Sequence, residues 1–238
     1  MAAIVILPTY NEVSNLEALV ASIRETGSVD AMLVVDDNSP DGTGDLADEI
    51  AQRDSFLRVL HRPGKLGLGT AYQAGFEYAQ DHGFDHILTM DADFSHHPEH
   101  LEELIALAET ADLVIGSRYV DGGATVDWGF FRKVISSSAN TAAIFLLQLP
   151  ARDCTSGYRC YSTRILSDIR FAEIRSSGYS FLVEALYRVV QSGGRVAETP
   201  IIFRDRQLDR SKISRAEIVK GVLTLLRLRR SHRSGTTG

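Results

Sequence analysis

Short apolar runs alternate with helix-length segments through the first half of the chain, and this order restricts the fold more than any other feature. Five runs rich in Val, Ile and Leu are the expected strands: Ile4–Leu7, Ala31–Asp36, Leu57–Leu60, His86–Asp91 and Asp112–Gly116. Four segments between them are the expected helices: Asn15–Glu25, Gly44–Arg53, Gly69–Asp81 and Pro98–Glu109. Alternation of this kind predicts an α/β fold with a mostly parallel central sheet and helices on both faces.

The second half of the chain is less regular. We expect helices at Phe130–Leu147, Tyr179–Gln191 and Arg215–Arg229, and a strand at Arg195–Phe203. The last of these helices places its aliphatic residues on one face. The predicted organisation is one α/β domain over residues 1–212, a basic amphipathic helix over 213–230 and a disordered tail over 231–238.

Length and composition favour one soluble domain. The chain has 238 residues, 44% of them hydrophobic, which suffices for one substantial core. No stretch approaches the ~20 apolar residues of a transmembrane helix. The apolar N-terminus lacks a basic region, so we interpret it as a first strand and not as a secretory signal. Two cysteines, Cys154 and Cys160, are too few for a disulfide framework, and we expect free thiols in a reducing cytoplasm.

Charge is distributed unevenly along the chain. Residues 206–238 contain nine Lys and Arg against two Asp and Glu, whereas the preceding 205 residues contain 16 basic and 29 acidic side chains. A basic C-terminus on an acidic body indicates an anionic partner for that end. A solvated basic tail is the alternative that charge alone leaves open.

Polar motifs follow each of the five expected strands of the first half. They are residues 8–12, 36–42, 61–69, 91–93 and 116–119. Open α/β sheets bind their ligands at the carboxyl ends of the strands. Five such motifs at one edge therefore predict an active site there.

The motif at residues 91–93 is the most informative of the five. The apolar run Ile87–Met90 ends in two carboxylates, Asp91 and Asp93, separated by Ala92. Because alternate residues of an extended segment face the same way, both carboxylates can point into one site. Mg²⁺ and Mn²⁺ are often held by one or two carboxylates together with substrate phosphates. The motif therefore predicts a divalent-cation site, with a solvated turn as the alternative.

Other nucleotide and metal motifs are absent from the sequence. No Gly-x-Gly-x-x-Gly follows the first strand, and no Gly-x-x-x-x-Gly-Lys-Ser/Thr occurs, which disfavours dinucleotide-binding and P-loop sites. The glycine-rich run Gly64–Gly69 opens a helix and suits a backbone that passes close to a ligand, or a flexible turn. His96, His97 and His100 match no standard zinc spacing, so we expect them to be structural or solvent-facing.

Taken in order, the motifs resemble glycosyltransferase family 2, and within it the polyprenyl-phosphate (dolichyl-phosphate) mannosyltransferases. The resemblance extends from Ile4 to about Lys212 and rests on these segments: 7–12, 34–43, 64–69, 90–93, 116–119, Arg132 with Ser136 and Asn140, 153–159, 178–181 with Glu184, and Arg206 with Ser211 and Lys212. It implies a GT-A fold, which is a Rossmann-like α/β domain.

The resemblance also implies roles for individual residues. The nucleotide sugar would be bound by Pro8, Tyr10, Glu12, Asp37, Gly67, Asp91, Ala92 and Asp93. The metal would be held by Asp91 and Asp93, with Ser95 at the position where some relatives have a glutamine ligand. The lipid phosphate would be bound by Arg118, Arg132, Ser136, Arg206 and Lys212. The catalytic set would be Asp91, Asp93, Arg118, Asp153 and Glu184.

The implied reaction is a metal-dependent inverting transfer of mannose from GDP-mannose to a polyprenyl phosphate, with Mg²⁺ or Mn²⁺. A phosphate monoester has a second pKa near ~6 and is already a nucleophilic dianion at neutral pH, so a general base is not required. We therefore expect Asp153 and Glu184 to orient the sugar or the acceptor loop. Asp153→Asn and Glu184→Gln variants that both keep wild-type kcat and KM would contradict that role.

Several alternatives stay open. The donor could be UDP-glucose or another nucleotide sugar. A sugar-phosphate nucleotidyltransferase would bind the same groups, but its usual glycine-rich, arginine-containing N-terminal signature is absent; a non-catalytic nucleotide-sugar or lipid-phosphate binding subunit is the remaining alternative. We expect peripheral association with the cytoplasmic face of a membrane through the basic C-terminal helix. The alternative is that the apolar face of this helix packs on the domain. A membrane-embedded protein partner fits this picture, and nucleic acid does not.

Overall fold

The computed structural model describes residues 1–174, 176, 178–204 and 221–230 of the 238-residue chain. Its strands are β1 Ala3–Thr9, β2 Ala31–Asp36, β3 Leu57–His61, β4 His86–Thr89, β5 Leu113–Ser117, β6 Ala124–Val126, β7 Arg159–Ser162, β8 Val196–Pro200 and β9 Ile202–Arg204. Its helices are α1 Val13–Thr26, α2 Thr43–Arg53, α3 Leu68–Asp81, α4 Leu101–Ala108, α5 Phe130–Leu147, α6 Thr163–Asp168 and α7 Tyr179–Gln191, followed by α8, of which residues 221–230 are described. Single 3₁₀ turns lie at Pro98–His100 and Phe171–Glu173.

Seven of the strands form one mostly parallel sheet in the order β3-β2-β1-β4-β7-β5-β8. Strand β7 is antiparallel to both of its neighbours, and every other pairing in this sheet is parallel. Strands β6 and β9 form a separate parallel pair. The carboxyl ends of β1 to β5 consequently lie at one edge of the large sheet, as the sequence predicts.

Alternate residues of the central strands enter two different cores. On β1, Ile4 and Ile6 belong to the cluster that includes Phe76 and Leu186 from α3 and α7. The intervening residues of β1 belong to the cluster that includes residues of α1, α2 and α4. Both faces of the sheet are therefore covered, and the near-continuous burial of β1 and β2 is typical of a parallel sheet with helices on each side.

Most expected elements are confirmed, and α5 and α7 have the expected bounds. The expected strand over Arg195–Phe203 is divided into β8 and β9. The Ile201 N–H still donates to Ser117 O of β5, whereas the residues after Ile201 pair with β6. Strand β7 was not predicted. Its first residue, Arg159, is fully buried, and the guanidinium is satisfied by the backbone carbonyls of Cys154, Ser156 and Leu182. A single sequence does not reveal a buried arginine that finds its partners in this way.

Helix α8 packs on the domain through one side and exposes aliphatic residues on another. Leu228 is buried, and Arg227 forms an ion pair with Glu184 of α7. Val222, Leu223 and Leu226 are exposed. In the described part of the chain, no helix has the length and apolar character needed to cross a membrane. The expected domain boundary at residue 212 and the expected disordered tail lie outside the described residues.

Candidate active site

The polar motifs that follow β1, β2, β3, β4 and β5 meet at one edge of the sheet. Here the end of β1 contacts the segment after β2: Thr9 Oγ1 donates to Asp36 Oδ1 at 3.1 Å, and the Asp37 N–H donates to Thr9 O at 3.1 Å. The Asn11 N–H also donates to Ser39 Oγ. Two residues here, Asn11 and Asn38, have positive φ, which asparagine tolerates better than most residues. These contacts fix the first two motifs against each other.

Three predicted nucleotide-sugar residues lie at the end of β1. Pro8 is half-buried within the strand. The Lys65 ammonium lies 4.0 Å from the centre of the Tyr10 ring, which is a close cation–π contact between the first strand end and the glycine-rich segment. Glu12 accepts a hydrogen bond from the Asn15 side chain. The motif after β1 and the glycine-rich motif after β3 are therefore in contact through Tyr10 and Lys65.

Asp37 is buried and paired with an arginine that the sequence analysis missed. Arg62 Nε and Nη2 donate to the two oxygens of Asp37 at 2.6 and 2.9 Å. Arg62 Nη1 donates in addition to Thr70 Oγ1 of α3. Two planar groups in this arrangement have little rotational freedom. The Asp37–Arg62 pair thus joins the ends of β2 and β3 to the first turn of α3, just beyond Gly67.

Gly67 provides the backbone conformation that starts α3. Its φ is +99°, a region that residues with a Cβ rarely adopt. Gly67 O accepts hydrogen bonds from the Ala71 N–H and from Thr70 Oγ1. Gly69, two residues further on, has no room for a side chain, because an added Cβ would lie 2.6 Å from the Phe181 ring of α7.

We call residues Asp91–His96 the acidic turn. Asp93 Oδ1 accepts a hydrogen bond from the Ser95 N–H at 3.0 Å, and Phe94 has a φ of +59°, which is unusual for a bulky residue. The Asp91 carboxylate is partly exposed, with 28% of its side-chain surface accessible. Ser95 Oγ is buried and has no hydrogen-bond partner within the described residues. Two carboxylates and a hydroxyl are therefore gathered on one tight turn.

His96 holds the acidic turn from inside. Its Nδ1 accepts the Asp91 backbone N–H at 3.1 Å, so the proton of the neutral ring is on Nε2. Burial lowers the pKa of His96 and outweighs Asp91 and Asp93, which raise it. The ring stacks on Tyr158, with centroids 5.0 Å apart. This buried histidine has the structural role that the sequence analysis expected, but its contact with Asp91 could not be predicted.

The backbone of Gly157 approaches the acidic turn closely. A Cβ at Gly157 would lie 3.6 Å from His96 Cε1 and 3.7 Å from both Asp91 Oδ1 and the Tyr72 hydroxyl oxygen. Burial, and after it the charge of Asp91, raises the pKa of Tyr72 well above its ordinary value. The hydroxyl of Tyr72 is therefore protonated next to Asp91.

We call Arg118 and Arg132, together with the rings of Tyr119 and Trp128, the arginine cluster. The Arg118 guanidinium carbon lies 5.4 Å from the Tyr119 ring centre and 5.5 Å from that of Trp128. Arg132, in the first turn of α5, lies 4.3 Å from the Trp128 ring centre. The Tyr119 hydroxyl lies 3.2 Å from Ser136 Oγ. The structure thus brings Arg118, Arg132 and Ser136 together, as expected.

Asp153 orients Arg118 through the ion pair between their side chains. Burial raises the pKa of Asp153, but hydrogen bonds and charge from Arg118 outweigh it, so that the pKa is lowered overall. The loop that carries Asp153 is held by Asn140 of α5, which bonds Arg152 O and the Cys154 N–H, and by Glu198 of β8, which accepts from the Arg152 and Asp153 N–H groups. Asp153 therefore acts on its neighbours as a fixed anion.

Glu184 is buried in a different environment. Its carboxylate accepts hydrogen bonds from Ser176, Arg188 and Arg227. None of these three residues belongs to the acidic turn or the arginine cluster. Arg206 and Lys212, the remaining predicted acceptor residues, lie outside the described residues.

The candidate metal ligands at this edge of the sheet are oxygen atoms. Within the ranges that the structure describes, no three His, Cys, Asp or Glu side chains form a metal-binding group. Asp91 and Asp93 with the Ser95 hydroxyl remain the candidate ligands. Hard divalent cations accept such oxygen sets when substrate phosphates and water complete the coordination.

A known protein family matches most of the chain. The model of glycosyl transferase family 2 matches residues 4–170. An undecaprenyl-phosphate mannosyltransferase from Micrococcus luteus is 43% identical over 227 residues, which cover 95% of this chain and 93% of that protein. A polyprenol monophosphomannose synthase from Mycolicibacterium smegmatis is 45% identical over 217 residues, covering 90% and 82%.

A solved structure identifies the fold. Glucosyl-3-phosphoglycerate synthase from Mycobacterium tuberculosis, in complex with Mn²⁺, UDP and glucosyl-3-phosphoglycerate, superposes with a TM-score of 0.68 at 20% identity. The match covers 95% of this chain and 79% of that one. The expectation of a GT-A fold is confirmed.

Proposed function

The chain belongs to glycosyltransferase family 2, and from this premise we propose that it transfers mannose from GDP-mannose to a polyprenyl phosphate, giving polyprenyl-phosphate mannose. Two relatives named for lipid-phosphate mannose transfer are 43% and 45% identical over most of their length. The observation that carries the proposal is the placement of a carboxylate-bearing acidic turn and an arginine cluster at the same sheet edge. Such a pair of sites suits a nucleoside diphosphate on one side and a phosphate acceptor on the other.

The donor would lie across the ends of β1 and β2 and the acidic turn. Pro8, Tyr10 and Glu12 border this region, and Gly67, at the start of α3, belongs to the same proposed set. Asp37 would act by fixing the strand ends through Arg62, since both of its oxygens accept hydrogen bonds from that arginine. The sugar diphosphate would extend towards Ala92 and the two carboxylates.

A divalent cation, Mg²⁺ or Mn²⁺, would be held by Asp91, Asp93 and Ser95. The residues fit such an ion, because the buried Ser95 hydroxyl has no hydrogen-bond partner in the described part of the chain and lies on the same turn as both carboxylates. The bound ion would neutralise negative charge on the departing diphosphate. His96 would keep the turn in shape through its hydrogen bond from the Asp91 N–H.

The acceptor phosphate would bind at the arginine cluster. Guanidinium groups bind phosphate oxygens well. Arg118 is held in one orientation by Asp153, which accepts hydrogen bonds from Nε and Nη2, so Arg118 would approach the phosphate through Nη1. Arg132 and Ser136 lie in the first two turns of α5 and face the same cluster through Trp128 and Tyr119. Arg206 and Lys212 complete the proposed set.

The chemistry then needs little acid–base assistance. The acceptor phosphate, a dianion above a pKa of about 6, would attack the anomeric carbon from the side opposite the leaving diphosphate, with inversion. Asp153 is buried, paired with Arg118 and has a lowered pKa, so it orients the acceptor and does not take a proton. The rate enhancement would come from alignment and charge neutralisation.

The outer surface next to the arginine cluster suits a membrane. Helix α5 has no charged residue after Lys133. Among its described side chains, the large apolar residues Val134, Ile135 and Phe145 are exposed, the last with 82% of its surface accessible. Helix α8, which is attached to α7, also exposes apolar residues, Val222, Leu223 and Leu226, and carries the basic residues Arg229 and Arg230. A protein whose acceptor is a lipid would thus lie peripherally on the cytoplasmic face of the bilayer.

Vesicle binding tests this membrane surface. Serine at Val222, Leu223 and Leu226 should reduce binding to vesicles that contain anionic lipid, while leaving the docked residue Leu228 in place. Val13→Ser, which removes an exposed apolar side chain from α1, is the matched control. Vesicle binding that survives both the triple variant and deletion of residues 214–238 would contradict the role of α8.

A transfer assay tests the reaction itself. Purified protein with Mg²⁺ or Mn²⁺ and polyprenyl phosphate in detergent would be offered radiolabelled GDP-mannose, UDP-glucose and UDP-N-acetylglucosamine in parallel. We expect label in the lipid phase from GDP-mannose alone, and loss of that label in Asp93→Ala. Label from a UDP-sugar would overturn the donor assignment. No lipid label from any donor, with nucleotide binding intact, would favour a binding subunit or a soluble acceptor.

A further inference from the structure

The ring of Phe203 lies between the acidic turn and the arginine cluster. Phe203 is the middle residue of the short strand β9 and pairs in register with Thr125 of β6. Its ring meets His96 edge-to-face with centroids 5.4 Å apart, and meets Trp128 in the same way at 5.5 Å. Edge-to-face pairs at these distances are attractive and directional. One side chain therefore contacts a member of each group.

The contact with the acidic turn has a second, backbone component. The Arg204 N–H donates to Ser95 O at 3.3 Å, so β9 is attached to the turn directly after Phe203. His96 in turn accepts the Asp91 N–H. A movement of β9 would thus be transmitted to Asp91 and to Ser95, which supply a carboxylate and a hydroxyl to the candidate metal site.

The contact with the arginine cluster is equally close. The Arg118 guanidinium carbon lies 5.5 Å from the Phe203 ring centre, the same distance as from Trp128. The Trp128 N–H has no hydrogen-bond partner among the described residues, so the indole is positioned by packing against Phe203 and Arg132. Removal of the Phe203 ring would leave Trp128 without this support.

We propose that Phe203 is a positioning residue that sets the acceptor phosphate in line with the bond from the sugar to its leaving diphosphate. The inference rests on the proposed function, in which the acidic turn holds the diphosphate and the arginine cluster holds the acceptor. Displacement at the anomeric carbon requires both groups at a fixed separation, and misplacement by ~1 Å can cost about 100-fold in rate. Phe203 touches neither reacting group and acts through His96 and Trp128.

Three substitutions separate positioning from bulk packing. Phe203→Leu and Phe203→Ala should lower kcat by about 10- to 100-fold, while the KM for GDP-mannose changes less than about threefold. Phe203→Tyr keeps the ring and should retain most of the wild-type kcat. Ile202→Ala, on the exposed neighbour in the same strand, is the matched control and should leave kcat unchanged.

Trp128 supplies a readout that does not depend on turnover. It is the only tryptophan in the chain, so its fluorescence reports on the arginine cluster alone. Binding of GDP with Mg²⁺ at the acidic turn should shift the emission of wild-type protein and of Ile202→Ala. The shift should be lost in Phe203→Leu, although calorimetry still detects GDP binding.

The outcomes distinguish this inference from the proposed function. A wild-type protein that moves no mannose overturns the proposed function, while a fluorescence shift that depends on Phe203 still supports the link between the two groups. Phe203→Leu and Phe203→Ala that keep kcat within twofold and keep the fluorescence shift would overturn the inference. A lowered melting temperature with unchanged kcat below it would assign Phe203 a purely stabilising role, and would also overturn it.

Discussion

Arg118 and Asp153 form a two-pronged ion pair in the interior of the protein. Arg118 Nε and Nη2 donate to the two Asp153 oxygens at 2.7 and 2.8 Å, and the Arg118 backbone N–H donates to Asp153 Oδ2 at 3.1 Å. The side chains are 5% and 0% exposed. The family resemblance assigns Arg118 to the acceptor phosphate, and Arg118 is held rigidly by Asp153, an acid that would otherwise be suspected as a base.

Replacing Asp153 by asparagine should destabilise the protein strongly. Loss of one partner leaves the Arg118 charge buried without its counterion, which typically costs about 3–5 kcal/mol. We expect a reduction of this size in the free energy of unfolding at pH 7, measured by urea denaturation. Asp121→Asn, at a fully exposed carboxylate beside Arg152, should leave it nearly unchanged.

The same pair predicts the direction of the pH dependence. Because the pKa of Asp153 is lower in the folded than in the unfolded protein, its contribution to stability is present above the ordinary aspartate pKa of about 3.9 and is lost as the pH falls through the folded value. Wild-type stability should therefore fall more steeply than that of Asp153→Asn during acid titration. A limb of the kcat profile near neutral pH that disappears in the variant would instead identify Asp153 as a base.

Gly123 should not tolerate a side chain. An added Cβ would lie 2.6 Å from Ser117 O and 2.9 Å from the Arg118 carbonyl carbon, both of them backbone atoms that cannot rotate away. Gly123→Ala should therefore displace the Arg118 backbone and raise the KM for the acceptor by about tenfold or more. Gly129→Ala is the control, because an added Cβ there meets nothing within 4 Å. Equal kinetics for the two variants would contradict this prediction.

Both thiols should be unreactive in the native protein. Burial, with a smaller effect of Asp153, raises the pKa of Cys154 to about 12, and burial also raises that of Cys160. Since the thiolate is the reactive form, native protein at pH 8 should react with a disulfide reagent only at the rate of unfolding. Denaturant should release two reactive thiols. Rapid labelling of either cysteine without denaturant would be the contrary result.

The sequence predicts those parts of the site whose residues are close together in the chain. Asp91 and Asp93 follow an apolar strand, and parallel strands necessarily bring their ends to one edge, so the chain order alone is enough to place the acidic turn. The apolar periodicity of α5 and α7 extends over enough residues to predict where both helices begin and end. Local pattern and elementary sheet geometry are sufficient for these features.

The remaining contacts join residues far apart in the chain. Arg62 meets Asp37 at a separation of 25 residues, and Phe203 meets His96 at more than 100. No periodicity records such pairings, because each depends on where the segments that follow β3 and form β9 lie in the folded protein. The histidine spacing argues against zinc, but it does not indicate that the partner of His96 is a backbone N–H. Motif reasoning therefore predicts candidate ligands close together in the chain, but not the distant residues that contact them.

Glu184 should hold helix α8 against α7. Its carboxylate is 3% exposed and bonds Ser176, Arg188 and Arg227, and only Arg227 comes from α8. Glu184→Gln should weaken this attachment by about 1 kcal/mol, since Arg227 is 44% exposed and partly screened. Hydrogen exchange of the amides in residues 221–230 should accelerate accordingly.

Matched variants separate attachment of α8 from a direct role of Glu184 in transfer. Arg227→Gln should accelerate exchange to the same extent. The double variant should add little, because both single changes remove the ion pair between Glu184 and Arg227. Arg229→Gln, at an exposed residue of the same helix, should have no effect. If Glu184 also orients the sugar or the acceptor loop, Glu184→Gln should lower kcat or raise a KM beyond the effect of Arg227→Gln. Equal kinetics in these two variants would restrict Glu184 to holding α8 in place.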